Sequence, residues 1–582
     1  MDEDSHSSAL TTSTPARLIF RLALGLFQGL ALAFLFDAEQ AHHWPAANAQ
    51  IFAPAILFAA FWPLLVLVSL NIRPPILFAW AAGAAALLIG LSEYDVWRMG
   101  SHTSDHWPSG QLIAAMFPFL FIAQALITAG DHDRKLIAQY ATYFDTAWKL
   151  GLQLALASAF VTLFWIVLQI GAQMFHLIGL NFMRRLIENR WFAAPATATA
   201  YAYAIELTDV RVGLVRGLRT LALMLQSWIL PVMVILTVAF LAALPFTGVE
   251  PLWATRSATS ILLTAAAVLV FLINAAYRDG AEEEVRALVI RSAAAIGAVA
   301  LVPLVAIACY ALMLRIGQYG LTPDRVIAFF ACGIAATTAI GYAVSVTNIG
   351  GWLRIVEATN IFVAFVLLAV ILSLFTPLAD PARLSVDDQI TRLKKDKITA
   401  EEFDYSFLRF KAGRYGEKVL AALAKSGIGK DAAKVASLAT DALKAENLGD
   451  LVAKQEKPTP TQIEEQITVH PKGASLPAAF LSQDWTTDPR YGAPPCLAGN
   501  VKCDAFLLDL DGDGTQEIVI VDYSATVFKA ESNGSWKRMG SVVLCDKQDL
   551  LKADQFSLEA SALKDIVVGG THLRVMLDCP NS

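Results

Sequence analysis

A short acidic stretch near the C-terminus has the residue types and spacing of a cation site. Its sequence, DLDGDGTQE, places Asp509, Asp511 and Asp513 at alternate positions and Glu517 four residues further on. Carboxylates at this spacing converge oxygen atoms on a hard cation such as calcium, and Gly514 allows the tight turn that the loop needs. The stretch therefore predicts a calcium site, with a plain polar turn between two strands as the alternative.

The sequences on either side of the acidic stretch predict strands. Residues 505–508 and 518–521 are apolar and include β-branched side chains, as is typical of strands. An EF-hand is disfavoured because Ile520 stands where that module places its bidentate glutamate. The order strand, acidic loop, strand resembles the repeats of calcium-binding β-propellers and related extracellular domains. Since the chain has one copy, a propeller is not expected.

Four cysteines in the last hundred residues or so suggest disulfides. They are Cys496, Cys503, Cys545 and Cys579. An even set in a soluble segment predicts two bridges if that segment faces an oxidising space. The four allow three pairings, and the short loop between Cys496 and Cys503 favours that pair, which leaves Cys545 with Cys579. A zinc site is the competing interpretation, but the spacing has no Cys-x-x-Cys pair.

Histidines and carboxylates recur in two connections between apolar segments. The histidines are His42, His43, His102 and His106, and the acidic residues beside them are Asp37, Glu39, Glu93, Asp95 and Asp105. Imidazole with carboxylate suits zinc or a related divalent ion, and the last two histidines have the i, i+4 spacing of a helix. Ordinary loop histidines are the alternative, because Pro108 and Gly110 indicate irregular structure.

The composition of the chain requires a membrane. Of 582 residues, 56% are hydrophobic and only 16% are charged, whereas soluble proteins have about 25% charged residues. A net charge of −6 without a clustered basic face argues against a nucleic-acid partner. The lipid bilayer is therefore the first predicted partner.

Eleven apolar segments approach the roughly 20 residues that a spanning helix needs. They are 18–36, 51–70, 76–91, 112–128, 150–173, 191–207, 220–244, 257–277, 292–314, 326–346 and 355–375. The sixth is the weakest, because it is rich in Ala and Thr and contains Pro195. The first is interpreted as an uncleaved span and not a secretory signal, because acidic residues follow it where a small-residue cleavage site is expected.

The distribution of Lys and Arg predicts the orientation of the spans. With the N-terminus in the cytoplasm, most basic residues of the connections fall inside, among them Arg73, Arg134 and Lys135. A group of three, Arg184, Arg185 and Arg190, is the exception. An odd number of spans then places the C-terminal tail outside, in the periplasm of a bacterial cell.

Polar residues within the predicted spans are candidates for function because they are costly in lipid. The charged or clustered ones are Arg21, Glu357 and Asn360, and the amides include Gln28, Gln124, Gln153, Gln169, Gln226 and Asn274. The alternative interpretation is that the amides bond to neighbouring helices and that Arg21 and Glu357 extend to the interfaces. No run of acidic residues at mid-span suggests a proton relay.

The predicted fold is an all-α polytopic membrane protein with a soluble tail. Its parts are a cytoplasmic N-terminus, 1–17; a transmembrane domain, 18–376; a helical segment, 377–454; a linker, 455–472; and a small β-containing domain, 473–582. Within the helical segment, Thr399 and Glu402 have the spacing of a capping box, and Phe403, Phe407 and Phe410 share one helix face.

Three phrases of the sequence resemble a bacterial membrane family catalogued as domain of unknown function 4153. They are residues 245–255 (PFTGVEPLWAT), 315–325 (RIGQYGLTPDR) and 403–416 (FDYSFLRFKAGRYG). The resemblance extends over about residues 17–416. It implies a bacterial inner-membrane protein and gives no catalytic residues.

The favoured function is an envelope membrane protein whose outer tail binds a partner or an ion in assembly, sensing or scaffolding. A transporter or channel is the first alternative, since many spans carry polar residues. A membrane-embedded transferase that uses Asp37, Glu93 or Asp95 is the second. Enzymatic activity is the weaker expectation because no phosphate-binding loop, nucleophile elbow or HExxH motif is present.

Overall fold

Long helices make up most of the first 443 residues. The computed structural model describes residues 15–100, 107–210, 212–248, 257–278, 288–347, 353–446, 459–471, 473–483, 485, 494–498, 502–522, 525–542, 558, 566–568 and 571–573. The chain divides into two compact units, Met1–Leu443 and Lys444–Ser582.

Ten helices among the described residues are long and apolar enough to cross a membrane. The helices up to the last of these are α1 (Pro15–Gln40), α2 (Ala49–Ser69), α3 (Pro74–Met99), α4 (Gly110–Asp133), α5 (Tyr140–Leu177), α6 (Phe182–Glu188), α7 (Arg190–Val210), α8 (Val212–Thr247), α9 (Ala258–Tyr277), α10 (Leu288–Tyr319), α11 (Pro323–Thr347) and α12 (Ile355–Leu374). All but the short α6 and the more polar α7 are among the ten. The ten coincide with ten of the predicted spans, so the chain is a multi-pass membrane protein.

Helix α7 corresponds to the sixth predicted span and lies antiparallel to α1 over its whole length. At one end, the Arg190 guanidinium donates to the carbonyl oxygen of Phe36 at 3.2 Å. At the other end, Arg21 pairs with Glu206 at 2.5 Å. Helix α7 therefore packs along α1 from end to end, although it is not among the ten helices that are apolar enough to cross a membrane.

Two glycines allow α1 and α7 to approach closely. Gly25 and Gly29 are four residues apart and therefore lie on one face of α1. A Cβ atom at Gly29 would lie 2.6 Å from the carbonyl oxygen of Ala194, and one at Gly25 would lie 2.8 Å from that of Ala198. Small residues at such spacing are the usual basis of close helix packing in membranes.

The bundle has two ends that are joined by different contacts. The N-terminal end, where α1 begins, carries ion pairs between helices: Arg73 with Asp131 at 2.5 Å, Lys149 with Asp209 at 3.2 Å and Arg219 with Asp145 at 2.5 Å. The tail end comprises the end of α3, the connection from α10 to α11, and the end of α12. The remaining helices of the first unit pack against the tail end.

These remaining helices are α13 (Pro381–Lys394), α14 (Tyr405–Phe410), α15 (Gly413–Ser426) and α16 (Ala432–Lys444). The predicted capping box forms, because the amide of Thr399 donates to Glu402 at 3.1 Å and the amide of Glu402 donates back to the Thr399 hydroxyl at 3.3 Å. It closes a single turn and does not start a helix. Helix α14 begins only at Tyr405, where Asp404 serves as the N-cap.

Backbone contacts fix this helical segment to the tail end. Gly413 has a φ of +52°, a conformation that glycine adopts without strain, and it lies against the carbonyl oxygen of Arg98. From α13, Arg392 donates to the carbonyl oxygens of Gly317 at 3.2 Å and Gln318 at 2.7 Å. These carbonyls belong to the last turn of α10, where they have no partner within the helix.

The second unit contains a five-stranded sheet. Its elements are α17 (Pro460–Gln466), β1 (Ile467–His470), α18 (Ala478–Ser482), β2 (Cys503–Leu508), β3 (Glu517–Val521), β4 (Ala525–Ala530), β5 (Trp536–Val542), β6 (Ile566–Val568) and β7 (Thr571–Leu573). Strands β1 to β5 are neighbours in chain order, and β6 pairs with β7. Strand β1 runs parallel to β2, and the other pairs are antiparallel.

The sheet begins earlier than the sequence indicated. Helix α17 and strand β1 both lie within residues 455–472, which were predicted to be a linker. The short stretch ITVH becomes a strand because it pairs with β2, a partner more than 30 residues away. The aromatic rings of Phe480, Trp485 and Phe528 pack within 5.5 Å of one another and form the centre of the core.

Candidate functional site

Arg21 is fully buried and connects two helices of the bundle. Its guanidinium pairs with Glu206 and with Asp209 of α7, each at 2.5 Å. Asp209 also pairs with Lys149 of α5 at 3.2 Å. Arg21 therefore does not extend to the interface, which was the alternative interpretation of its place in the sequence. Its charge is balanced within the bundle.

Asn360 belongs to a closed ring of hydrogen bonds between four helices. Its amide nitrogen donates to Asn274 at 2.6 Å, and its amide oxygen accepts from Tyr342 at 2.7 Å. Asn274 in turn donates to Tyr342 at 2.7 Å, and Tyr140 bonds to both amides at 3.3 Å. Nearby, Glu357 accepts a hydrogen bond from Tyr277 at 2.7 Å. This arrangement fixes helices α5, α9, α11 and α12 relative to one another.

The intramembrane amides mostly bond to neighbouring helices. Three examples are Gln28 to the carbonyl of Ala59 at 3.1 Å, Trp80 to Gln124 at 2.7 Å, and Gln153 to the carbonyl of Ile205 at 3.1 Å. Gln226 differs, because its buried amide oxygen has no hydrogen-bond partner among the described residues. Gln169 is exposed on α5. Most polar groups of the bundle are thus used to hold it together.

The predicted histidine cluster has two described members, His42 and His43. Both are exposed, and His43 Nδ1 lies 3.0 Å from the carbonyl oxygen of Trp44. His102 and His106 lie outside the described residues. Of the carboxylates considered for chemistry, Asp37 and Glu93 are exposed. Asp95 is buried and accepts from the amide of Ser109 at 2.6 Å, which fixes the start of α4.

A cleft of about 1020 Å³ lies at the tail end of the bundle. Its walls come from the end of α3, the start of α4, the connection from α10 to α11, helix α13, and residues 397–413. Two of the three phrases that carry the family resemblance, 315–325 and 403–416, meet there. Phe407 and Phe410 line the cleft, while Phe403 is buried. The remaining phrase, 245–255, lies outside the described residues from residue 249 onward.

Buried polar groups hold the walls of this cleft together. Asp380, which is fully buried, accepts a hydrogen bond from the Tyr94 hydroxyl at 2.8 Å and caps α13. The same hydroxyl lies 3.0 Å from that of Tyr415 on α15. Arg98 reaches Asp95 at 2.7 Å and Asp380 at 3.7 Å. Since these contacts join α3 to the segments on both sides of the cleft, its shape is fixed in advance of any ligand.

The cleft carries more uncompensated positive than negative charge. Its three described acidic residues already serve helix or turn starts: Glu402 closes the turn at Thr399, Asp404 caps α14, and Asp324 lies in the first turn of α11. Five of the described residues that line it are cations, and among these Arg98 alone pairs with a described carboxylate. In the part of the chain that the structure describes, the cations without an ion pair are Arg325, Arg392, Lys397 and Lys411.

These cations are held differently. Arg325 donates to the carbonyl oxygen of Gly320 at 2.6 Å and lies 5.6 Å from the ring centre of Tyr319. Arg392 bonds to two backbone carbonyls, as described above, and its Nε has no partner. Lys397 and Lys411 are exposed. Two fixed guanidinium groups and two adjustable ammonium groups are well suited to an anion with several oxygen atoms.

The acidic loop of the second unit brings its carboxylates together in one turn. Both oxygens of Asp509 accept backbone amides, from Gly512 at 2.8 Å and Gly514 at 3.1 Å. Those glycines have φ values of +75° and +85°. Glu517 is 1% exposed. Oxygens of Asp509, Asp511 and Glu517 lie within 4.8 Å of one another, a set of donors that suits a hard cation such as calcium.

Lys529 of β4 inserts its ammonium group among these carboxylates. It contacts Asp511, Asp513 at 2.7 Å and Glu517 at 3.3 Å. Hydrogen bonds to Asp511 and Asp513 raise the pKa of Lys529 above its usual range. The pKa of Asp513 is lowered, chiefly by its hydrogen bond from Lys529 and then by that from Thr515. Near neutral pH these carboxylates are therefore neutralised by a lysine charge and not by a proton.

The sign of these shifts fixes the pH range in which the contacts stabilise the loop. The raised pKa of Lys529 means that its contribution is complete below the ordinary lysine value of about 10.4 and is lost only in stronger base. The lowered pKa of Asp513 means that its contribution is present above about 3.9 and is lost on acidification. Between these limits the loop is charged on both sides.

Cys496 and Cys503 form a disulfide with their Cα atoms 6.0 Å apart. The bridge ties the 3-10 turn Pro495–Ala498 to the start of β2. This is the pairing that the short loop between them favoured. Cys545 and Cys579 lie outside the described residues.

Several of these residues were not identified in the sequence. Glu206 and Asp209 are three apart at the end of the weakest predicted span, and that spacing in an apolar context was an available signal. No signal in the sequence indicated Lys529, because it lies 16 residues from Asp513 and is brought to the loop by the pairing of β3 with β4. The cations of the cleft come from three separate stretches of chain.

Comparison with known families gives one result. The family described as Domain of unknown function (DUF4153) matches residues 52–413, which is more than half of the chain. The match runs from α2 to the first residue of α15 and contains all the walls of the cleft. No curated protein and no solved structure is similar enough to this chain to count as a match.

Proposed function

We propose that this protein, which belongs to the Domain of unknown function (DUF4153) family, binds an anionic ligand in the cleft at the tail end of its bundle. The observation that carries the proposal is the group of four cations without a carboxylate partner. The cleft has the volume of known small-molecule sites, which are roughly 300–1,000 Å³. Binding is favoured over transport because most polar groups inside the bundle are paired with one another.

We further propose that the tail end faces away from the cytoplasm, in the inner membrane of a bacterium. Two observations support this orientation. Arg73, Arg134 and Lys135 belong to connections at the N-terminal end, as expected for a cytoplasmic surface. The disulfide of the second unit suits an oxidising compartment. The leading function is then that of an envelope protein that recognises its ligand on the periplasmic side of the inner membrane, where the membrane meets water.

Amine labelling tests both the orientation and the binding. A small membrane-impermeant reagent is applied to intact cells, and Lys394 and Lys418, which are exposed and do not line the cleft, are scored by mass spectrometry. We expect both to react before lysis. In purified, delipidated protein, sn-glycerol 3-phosphate is expected to protect Lys397 and Lys411 but not the two control lysines, and salt is expected to weaken the protection.

Two results oppose these proposals separately. Reaction of Lys394 and Lys418 only after lysis would place the tail end in the cytoplasm. Equal modification of all four lysines with and without the phosphate would exclude anion binding in the cleft. As a matched check, the double variant K397Q/K411Q is expected to lose phosphate-dependent thermal stabilisation, whereas K394Q/K418Q keeps it.

We propose in addition that the acidic loop binds calcium after Lys529 withdraws. Four carboxylates supply the charge, and backbone contacts already hold Asp509 and Glu517 in place. Because the lysine competes for the same oxygens, wild-type affinity is expected to be weak, of the order of 10⁻⁴–10⁻³ M as in extracellular modules.

Removing the lysine charge is the informative change. For full-length K529Q in detergent, we expect calcium affinity to rise at least tenfold, as measured by calcium-dependent thermal stability. E517Q in the same background is expected to abolish the effect, and magnesium serves as the ion control. If K529Q and wild type both melt independently of calcium, the loop is a lysine-neutralised turn and the calcium proposal fails.

A further inference from the structure

A second, apolar hollow lies on the bundle surface beside the cleft. It has a volume of about 440 Å³ and is formed by α10, α11 and α12. Its walls include Met313, Phe329 and Val370. Met313 and Phe329 are 42% and 50% exposed, so the hollow opens outward towards lipid. We refer to it as the groove.

The groove and the cleft share the same faces of two helices. On α11, Arg325, Phe329 and Gly333 follow one another at intervals of four residues, a spacing that places them on one face. The first lines the cleft and the other two line the groove. On α10, Met313 of the groove lies four residues before Gly317, whose carbonyl oxygen accepts from Arg392 of the cleft. The charged and apolar sites therefore follow one another along the same faces of α10 and α11.

The depth of the groove matches one leaflet of a bilayer. Phe329 lies six residues into α11 from Pro323, and Met313 lies six residues before the end of α10 at Tyr319. At about 1.5 Å per residue, both are about 9 Å below the tail end. The groove thus lies within the roughly 15 Å of hydrocarbon that the adjacent leaflet provides.

We propose that the cleft and the groove together bind one anionic phospholipid of the tail-end leaflet. This inference rests on the proposed function and specifies its ligand. The phosphate of the headgroup contacts Arg325, Arg392 and the two lysines, and an acyl chain lies in the groove against Phe329. Both parts are needed, because a free phosphate makes no contact with the apolar groove and a neutral lipid forms no ion pair with the cations.

Gly333 gives a direct way to fill the groove. It is exposed, and an added Cβ has no heavy atom within 4 Å, so G333L is expected to fold with its side chain in the groove. Gly90 is a matched control, since it is also exposed and also has open space around it. It lies nine residues before the end of α3, and Gly333 lies ten residues after the start of α11, so the two are at similar depths.

The experiment measures lipid retention by full-length protein in native mass spectrometry, with phosphatidylglycerol and phosphatidylcholine as probes. Wild type and G90L are expected to retain phosphatidylglycerol selectively. G333L is expected to reduce this retention about tenfold while leaving glycerol phosphate protection of Lys411 intact. K397Q/K411Q is expected to reduce the retention and also to lose thermal stabilisation by glycerol phosphate. If G333L does not fold, phosphatidylglycerol with shortened acyl chains in the wild type provides the same contrast.

Two outcomes overturn the inference and differ in what else they exclude. Equal retention of phosphatidylglycerol by G333L and G90L, with lysine protection by glycerol phosphate preserved, would show that no acyl chain occupies the groove and would leave only the anion site. Equal retention of the two probe lipids by wild type, with no protection by glycerol phosphate, would remove both the lipid and the anion proposal.

Discussion

Replacing Arg21 with methionine is expected to destabilise the bundle by about 3–5 kcal/mol, the usual cost of removing one partner from a buried ion pair. The change leaves Glu206 without a cation and Asp209 with Lys149 alone. Neither carboxylate can regain its solvation within the bundle. Thermal unfolding of the purified protein in detergent, followed by size-exclusion chromatography, measures the loss.

Arg17→Gln is the matched control for this prediction, because Arg17 lies one turn earlier on α1, is only partly buried and bonds to Asn71. The triple variant R21M/E206Q/D209N removes all three charges and is expected to recover most of the stability. Such recovery distinguishes the cost of unpaired charge from the loss of packing. Coincident melting of R21M and R17Q would show that the buried pairs contribute nothing.

Placing a methyl group at Gly29 is expected to force α1 away from α7. The added carbon would lie 2.6 Å from backbone atoms of Ala194 and Pro195, which cannot move independently of their helix. Overpacking of this kind typically costs about 1–3 kcal/mol. The same substitution at Gly90 meets open space, and there the higher helix propensity of alanine is expected to stabilise by up to about 1 kcal/mol.

The opposite signs expected for G29A and G90A make the comparison sharp. Both are measured by thermal unfolding in the same detergent, with protein yield from membranes as a second readout. A G29A protein as stable as G90A would mean that α1 and α7 do not make the close contact that their glycines and alanines form here.

The spans could be predicted from the sequence because each one is decided locally. A run of about 20 apolar residues is not expected in a water-soluble structure, so segments such as 355–375 can be recognised as spans from their own composition. The pairing of helices is not local. Arg21 and Glu206 are separated by 185 residues, and nothing in either stretch indicates the other. The burial of Arg21 and its pairing with Glu206 could not be predicted for this reason.

The cleft shows the same limit in a different way. Phe403, Phe407 and Phe410 were predicted to share one helix face, but α14 begins only at Tyr405, so Phe403 lies before the helix. The family phrases were recognised as blocks of sequence. Their meeting at one cavity depends on Arg392 and Gly413 docking on the tail end, which involves residues far apart in the chain. In the second unit, the acidic loop was recognised from its own residues, whereas Lys529 depended on strand register.

The pairing of α1 with α7 also sets an order of events during synthesis. Arg21 enters the membrane when α1 does, 185 residues before the carboxylate that neutralises it has been made. Before α7 is made, the nascent chain carries an unpaired arginine whose insertion into lipid is energetically unfavourable. Insertion of α7 by itself is unfavourable too, because it carries two acidic residues. Each helix is thus expected to stabilise the other in the membrane. A chain that stops before residue 206 has Arg21 without its carboxylate partners.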